Sequence, residues 1–247
     1  MLSITKKASR RRLLCALIAS FAVTGGADTA AAADRTQPVA GPTQELAMLV
    51  TAHEAFPALH ARRLRGSSTV RASRPITGGQ TVLPVVGHAT TQGGVRWLRV
   101  MLPGRPNGRL GWIKQRGTEL TRTSWRLVVR TARRQVLVYR RGRLLRTFTA
   151  IVGKPSTPTP RGRFFVEESV LMLPGSAGAP FALALSARSN VLQEFAGGPG
   201  QIALHGVANI GGTLGTAVSH GCVRMDNRSI SWLAARIVPG APVTITR

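Results

Sequence analysis

The stretch at residues 202–227, IALHGVANIGGTLGTAVSHGCVRMDN, contains Cys222 and two of the five histidines of this chain, His205 and His220. A thiol with a pKa of about 8.5 is mostly protonated at neutral pH, so a nucleophilic cysteine needs an imidazole that takes its proton. His220 lies two residues from Cys222, and the glycine-rich loop between them and His205 allows the chain to fold back. The stretch therefore predicts a cysteine–histidine site for acyl transfer.

The residue just before the cysteine supports this interpretation. Gly221 lets the backbone turn sharply, so that the amides of residues 220–222 can point at a developing oxyanion. Two other interpretations stay open from the residues alone. Cys222 could pack as a small buried hydrophobe, or it could bind zinc together with His205 and His220.

Four segments in order resemble one known family, the L,D-transpeptidase catalytic domain, also called the YkuD domain. The signature is SHGCVRM at residues 219–225, with LHG upstream at residues 204–206. The other segments are the opening hairpin RQVLVYRRGRL at 134–144, the TPxG segment VGKPSTPTPRGRF at 152–164 and the terminal strand PGAPVTI at 239–245. The resemblance covers residues 124–247 and implies a β-sandwich or barrel with one or two short helices.

The resemblance implies a role for each residue of the signature. Cys222 is expected to be the nucleophile and His205 the general base, with the carbonyl of Gly206 orienting the imidazole. The amides of His220, Gly221 and Cys222 are expected to form the oxyanion hole.

Two further residues of the signature are assigned to substrate binding. We expect Ser219 to shape the nucleophile loop and to contact substrate, as the loop residue next to His220. Arg224 is expected to bind a substrate carboxylate, because a planar guanidinium suits that group.

The implied reaction is a two-step acyl transfer on peptidoglycan stem peptides. Cys222 attacks the bond between the diamino acid and the terminal D-Ala of a tetrapeptide, releases D-Ala and forms a thioester. The amine of a second stem then gives a 3→3 cross-link, whereas water would make the same site an L,D-carboxypeptidase. No metal or organic cofactor is expected.

The first 33 residues have the pattern of a cleavable export signal. A basic segment precedes an apolar stretch at residues 13–23, and an alanine run ends at residue 33. The arginines at 10–12 fit a twin-arginine signal as well as the general secretory route. We therefore expect an exported protein of the periplasm or cell wall, with Cys15 removed and Cys222 left as the only cysteine.

The rest of the chain is expected to be mainly β. Residues 34–65 are predicted to be a tether and an irregular or helical lead-in, and residues 66–118 a small SH3-like barrel. The barrel assignment rests on WLRVMLPGRPNGRLGWI at 97–113, which is similar to the bacterial SH3-like module. The catalytic domain follows a boundary at 118–125, with a helix after Cys222 that Asp226 or Asn227 caps and Pro239-Gly240 ends.

The charge of the chain favours a polyanionic partner. The sequence has 34 Lys and Arg against 9 Asp and Glu, a formal net charge of +25. Only 5% of the residues are aromatic and the leader directs export, so we expect anionic wall polymers and no nucleic acid as partners. No apolar run after residue 33 is long enough to span a membrane. A non-catalytic wall-binding protein is the alternative from another class, and the sequence does not indicate an oligomeric state.

Overall fold

The computed structural model describes residues 41–59, 68–194 and 197–247. The predicted leader with Cys15, and residues 34–40 of the predicted tether, lie outside the described residues. Within the described ranges, no helix is long and apolar enough to cross a membrane.

The N-terminal part is an antiparallel sheet. Its strands are β1 (Gln44–Leu49), β2 (His53–Ala55), β3 (Ser68–Val70), β4 (Val82–Thr90), β5 (Arg96–Met101), β6 (Leu110–Lys114) and β7 (Thr118–Thr123). Five of them pair in the order β6-β5-β4-β1-β7, and β2 pairs with β3. Along β5, Leu98 and Val100 are buried and Arg99 between them is exposed, as alternation about one buried sheet face requires.

The boundaries of this part differ from those predicted. The predicted lead-in contains β1 and β2, and the predicted boundary at 118–125 contains β7. β1 is an inner strand that pairs with both β4 and β7, and its Leu46 and Leu49 are buried. Its partners lie more than thirty residues away in sequence, so the local pattern that suggested a tether and a lead-in did not reveal it. That this part is an SH3-like module stays a prediction.

The C-terminal part contains a larger curled sheet. The strands of this part are β8 (Trp125–Arg130), β9 (Gln135–Arg140), β10 (Arg143–Thr149), β11 (Val152–Gly153), β12 (Gly162–Leu171), β13 (Phe181–Arg188), β14 (Gln201–His205), β15 (Ala217–Ser219), β16 (Val223–Arg224) and β17 (Pro242–Thr246). Eight of them form the larger sheet in the order β10-β9-β8-β17-β12-β13-β14-β16, and β11 pairs with β15. The mainly β expectation is confirmed, and β13 is a strand that the sequence patterns did not predict.

One helix, α1 (Asn227–Ala234), follows the signature segment. Asp226 caps it as predicted, because its carboxylate accepts a hydrogen bond of 2.9 Å from the amide of Ser229. Ile230 and Leu233 are buried against the sheet. The helix ends at Ala234, earlier than the predicted stop at Pro239-Gly240.

Buried charges join the two parts of the structure. The β12–β13 pairing skips a residue between Val166 and Glu168, a bulge that leaves Glu167 unpaired in the ladder. The buried Glu167 carboxylate contacts Arg74 of the N-terminal part and lies 3.1 Å from Nη1 of Arg188. Glu168 accepts hydrogen bonds of 2.9 Å from the amide and the hydroxyl of Thr77. Glu167 thus lies between two buried guanidinium groups, and Glu168 supplies a second carboxylate 3.8 Å from Nε of Arg74.

We expect Glu167→Gln to lower the free energy of unfolding by about 3 kcal/mol, because it leaves the buried Arg188 without a carboxylate and Arg74 with Glu168 alone. Urea unfolding at pH 7 measures this change. Glu119→Gln on the exposed β7 is the matched control and should change stability by less than about 0.5 kcal/mol. Equal losses in the two variants would contradict the bridging role of Glu167.

Candidate active site

Two parallel strands at the edge of the larger sheet form the candidate site. β14 pairs with β16 so that Leu204 is opposite Val223 and His205 is opposite Arg224. In this parallel register Cys222, the residue that precedes β16, lies beside Ala203, two positions before the end of β14 at His205. A cleft of about 280 Å³ opens there and is lined by His205, His220, Cys222 and Arg224, four of the residues predicted from the sequence.

The imidazole of His205 is held in one orientation. Its Nδ1 lies 2.8 Å from the carbonyl oxygen of Gly206, so Nδ1 carries the proton that it donates and Nε2 is left as the acceptor. Burial lowers the pKa of His205; the hydrogen bond to Gly206 opposes this and the positive charge of Arg224 adds to it. A neutral imidazole at pH 7 can accept a proton, as a general base must.

The thiol of Cys222 is half-buried on the same cleft. Burial raises the pKa of Cys222 above its ordinary range, while a backbone hydrogen bond at Ala203 and the charge of Arg224 act in the opposite direction. Burial therefore favours a protonated thiol and a neutral imidazole over a thiolate and an imidazolium.

Ser219 lies inside the nucleophile loop, whereas the sequence predicted that it contacts the substrate. It is buried, its hydroxyl donates to the carbonyl of Cys222 at 2.6 Å, and it does not line the cleft. The amide of Gly221 donates to the same hydroxyl at 3.1 Å. Ser219 thus shapes the nucleophile loop as expected. The Gly221 amide, one of the three predicted for the oxyanion hole, therefore has a partner inside the loop, and the oxyanion hole stays a prediction.

Two threonines of the TPxG segment hold the nucleophile loop through hydrogen bonds to its carbonyls. Thr159 donates to the carbonyl of Gly221 at 2.8 Å and accepts from the amide of Gly153 at 2.9 Å. Thr157 donates to the carbonyl of Ser219 at 3.2 Å. Sequence reasoning noticed the segment as a motif but gave neither threonine a role. Both hydroxyls are buried, so each satisfies a carbonyl that would otherwise be left unpaired.

Arg224 places a buried positive charge at the cleft. Its Nη1 donates to the carbonyl of Gly211 at 2.5 Å, and its Nε is buried without a hydrogen-bond partner. Because the guanidinium lines the cleft, its positive charge favours an anion there. The position agrees with the carboxylate-binding role expected for Arg224.

Gly178 packs against the back of the imidazole, and sequence reasoning missed it. Its φ is +89°, and a Cβ at this position would lie 2.5 Å from Nδ1 of His205. Its carbonyl accepts a hydrogen bond of 2.8 Å from the amide of Gly206, the residue whose own carbonyl orients His205. Only glycine fits between this loop and the ring.

No group of three or more His, Cys, Asp or Glu side chains that could hold a metal ion is found in residues 41–59, 68–194 and 197–247. The zinc interpretation would need such a group from His205, His220 and Cys222.

The raised pKa of Cys222 predicts how the thiol reacts with iodoacetamide. Because the thiolate is the reactive form, the alkylation rate should rise with pH and reach half its maximum above the ordinary thiol pKa of about 8.5. Alkylation rates measured between pH 5 and pH 10 test this prediction. The Cys222→Ser variant gives the background rate from Cys15, the other cysteine of the chain. A plateau of fast alkylation below pH 7 would indicate a thiolate–imidazolium pair and contradict the prediction.

Gly178→Ala should lower the rate at which a tetrapeptide donor acylates Cys222 by about a hundredfold, because the new methyl group displaces the imidazole from the thiol. Single-turnover mass spectrometry measures the rate. Gly175→Ala is the matched control: Gly175 lies in the same loop with φ +83°, but a Cβ there meets no atom within 4 Å. Equal losses in the two variants would mean that backbone strain, and not contact with His205, causes the effect.

Comparison with known proteins agrees with the geometry. Residues 124–245 match the model of the YkuD family, described as the L,D-transpeptidase catalytic domain. The YkuD protein of Bacillus licheniformis is 34% identical over 122 residues, which are 49% of this chain and 66% of that protein. L,D-transpeptidase 1 of Mycobacterium tuberculosis is 31% identical over 120 residues, 44% of this chain and 45% of that protein.

Solved structures of L,D-transpeptidases also resemble this chain. L,D-transpeptidase 3 from Mycobacterium tuberculosis, in complex with a faropenem-derived adduct, is 17% identical with a TM-score of 0.42, over 68% of this chain and 91% of that one. The chain spans two thirds or less of the length of the two curated relatives named above. The segment that contains the whole cysteine–histidine site, residues 124–245, is an L,D-transpeptidase catalytic domain of the YkuD family.

Proposed function

We propose that the protein is a peptidoglycan L,D-transpeptidase with Cys222 as its nucleophile. The observation that carries the proposal is the pairing of β14 with β16, which puts a neutral, oriented imidazole and a thiol on one cleft. The family of the catalytic domain supports the substrate class, the stem peptides of peptidoglycan.

The first half of the reaction uses these groups in turn. The donor carboxylate binds Arg224, whose guanidinium lines the cleft. Nε2 of His205 takes the thiol proton while the sulfur attacks the carbonyl between the diamino acid and D-Ala. The amides of residues 220–222 stabilise the oxyanion, and that of Gly221 donates to Ser219 in the resting structure. The imidazolium then returns the proton to the departing amine of D-Ala, which leaves a thioester.

The second half repeats the proton transfers with a new nucleophile. The side-chain amine of an acceptor stem attacks the thioester, His205 accepts a proton from that amine, and the thiol leaves as the 3→3 amide forms. Water in place of the amine would give a tripeptide and make the site a carboxypeptidase. No step needs a metal or an organic cofactor.

The proposed substrate also implies where the protein acts. Peptidoglycan lies outside the cytoplasmic membrane, so we infer that the chain is exported, in agreement with the leader predicted at residues 1–33. Retention on anionic wall polymers stays a prediction. It is supported by a basic surface on which Arg146 and Arg236 stack on Trp232, with 4.8 and 4.4 Å from each guanidinium carbon to the ring centre.

Incubation of the purified protein with a disaccharide-tetrapeptide, followed by mass spectrometry, tests the function. We expect a cross-linked dimer with loss of one D-Ala, at an unchanged rate in EDTA. His205→Gln should lower the rate by about a hundredfold or more, since it removes the general base.

The controls separate the alternative functions. Cys222→Ala should give no dimer, no tripeptide and no thioester adduct. A tripeptide without dimer would assign the site to carboxypeptidase activity. Unchanged substrate with an intact, alkylatable Cys222 would overturn the enzymatic proposal and leave the wall-binding alternative.

A further inference from the structure

The cleft that contains Cys222 has a second side, which the catalytic residues do not form. This side consists of residues 189–194 and 197–200, which follow β13 and are called the cleft wall below. Ser189, Leu192 and Gly200 of the cleft wall line the cleft together with Cys222. Whatever holds the cleft wall therefore sets the width of the cleft.

A residue of the N-terminal sheet holds the cleft wall by its backbone. Arg105 lies in the loop between β5 and β6, and its guanidinium donates to three carbonyls of the wall. Nη1 lies 2.9 Å from the oxygen of Pro199, and Nη2 lies 2.9 Å from that of Ser189 and 3.0 Å from that of Leu192. One planar group with several fixed donors thus ties both ends of the wall together, a geometry that lysine cannot reproduce.

The wall closes tightly around this guanidinium. Gly200 has φ +63°, and a Cβ there would lie 2.1 Å from the oxygen of Leu192 and 3.2 Å from Nη2 of Arg105. The amide of Ser189 donates to the carbonyl of Gly200 at 2.7 Å, and the amide of Leu192 donates to the hydroxyl of Ser189 at 3.0 Å. The segment is a narrow loop folded around the end of one side chain.

A second residue of the same N-terminal loop fixes the start of the wall. The side-chain oxygen of Asn107 accepts from the amide of Arg188 at 2.8 Å, and its side-chain nitrogen donates to the carbonyl of Arg188 at 2.8 Å. This nitrogen also lies 3.1 Å from the side-chain oxygen of Asn190. Asn107 thus pairs with the last residue of β13 as a neighbouring strand would.

We propose that Arg105 and Asn107 are positioning residues, which hold the cleft wall at the distance from Cys222 that the donor peptide requires. The N-terminal sheet then takes part in donor binding, although both residues lie outside the segment 124–245 that matches the family. The proposal rests on the proposed function only in taking the bound group to be a stem peptide. That Arg105 shapes the wall follows from the contacts alone.

Two measurements on the full chain test the proposal, with Arg105→Ala compared to Arg96→Ala. Arg96 is an exposed arginine on β5 of the same sheet, so the control removes the same charge. In Arg105→Ala we expect hydrogen exchange of the Val191 and Leu192 amides to become about tenfold faster. The KM for the tetrapeptide should rise about tenfold while kcat changes less than about threefold, because the wall binds the donor and does not react.

Arg105→Lys distinguishes loss of the wall contacts from a general loss of stability in Arg105→Ala. It keeps the charge and the stem, and should regain part of the lost affinity with a Tm equal to that of the wild type. Iodoacetamide should alkylate Cys222 at the same rate in all the variants, since a small reagent does not use the wall. A kcat that falls together with this rate would indicate damage to the catalytic residues and overturn a positioning role.

The outcomes separate this proposal from the proposed function. Wild-type exchange at Val191 and Leu192 in Arg105→Ala, with an unchanged KM, would overturn the positioning role while transpeptidation stands. An inactive wild-type protein would overturn the proposed function, and the exchange rates would still decide whether Arg105 holds the wall.

Discussion

Parallel pairing of β14 with β16 brings two distant parts of the chain to one sheet edge, because the strand that ends at His205 runs beside the strand that begins after Cys222. The intervening residues have to leave the sheet and return in the same direction, which takes a long loop. The buried hydroxyls of Thr157 and Thr159 hold the end of that loop through the carbonyls of Ser219 and Gly221. Loss of the pairing would separate base from nucleophile without changing either side chain.

Burial acts on the two catalytic groups in opposite directions. It raises the pKa of Cys222 and lowers that of His205, since it disfavours the charged form of each. The resting site is therefore neutral, and charge develops only when the thiol proton moves. Arg224 opposes the effect of burial on Cys222, because its positive charge lowers the pKa of the thiol. The same charge also lowers the pKa of His205, where it acts in the same direction as burial. A substrate carboxylate on Arg224 would partly cancel that charge and make His205 easier to protonate.

The sequence revealed the groups that carry the chemistry better than those that position them. Cys222 and His205 could be predicted because a lone thiol needs a base, and because the segments around them resemble one family. Gly178 could not, since its need for glycine comes from the ring of His205, which only the fold brings near. β1 was assigned to the end of the tether and the start of the lead-in for the same reason: its six residues become an inner strand only through β4 and β7. Ser219 was placed in the right loop, but a one-dimensional motif cannot tell a side chain that faces the cleft from one that faces the loop interior.

The two sides of the cleft are held by different parts of the chain, so substitutions in each part have different consequences for the site. The catalytic side is built within the family segment from β14, β16 and the loop before Cys222, so a substitution there alters the chemistry itself. The cleft wall is held by Arg105 and Asn107 of the N-terminal sheet, and Glu167 joins that sheet to β12 through a buried ion pair with Arg74. Because Arg105 and Asn107 hydrogen-bond to the wall, a shift of the N-terminal sheet would move the wall as well. A change in the β5–β6 loop can therefore alter which donors fit while Cys222, His205 and Arg224 stay as they are.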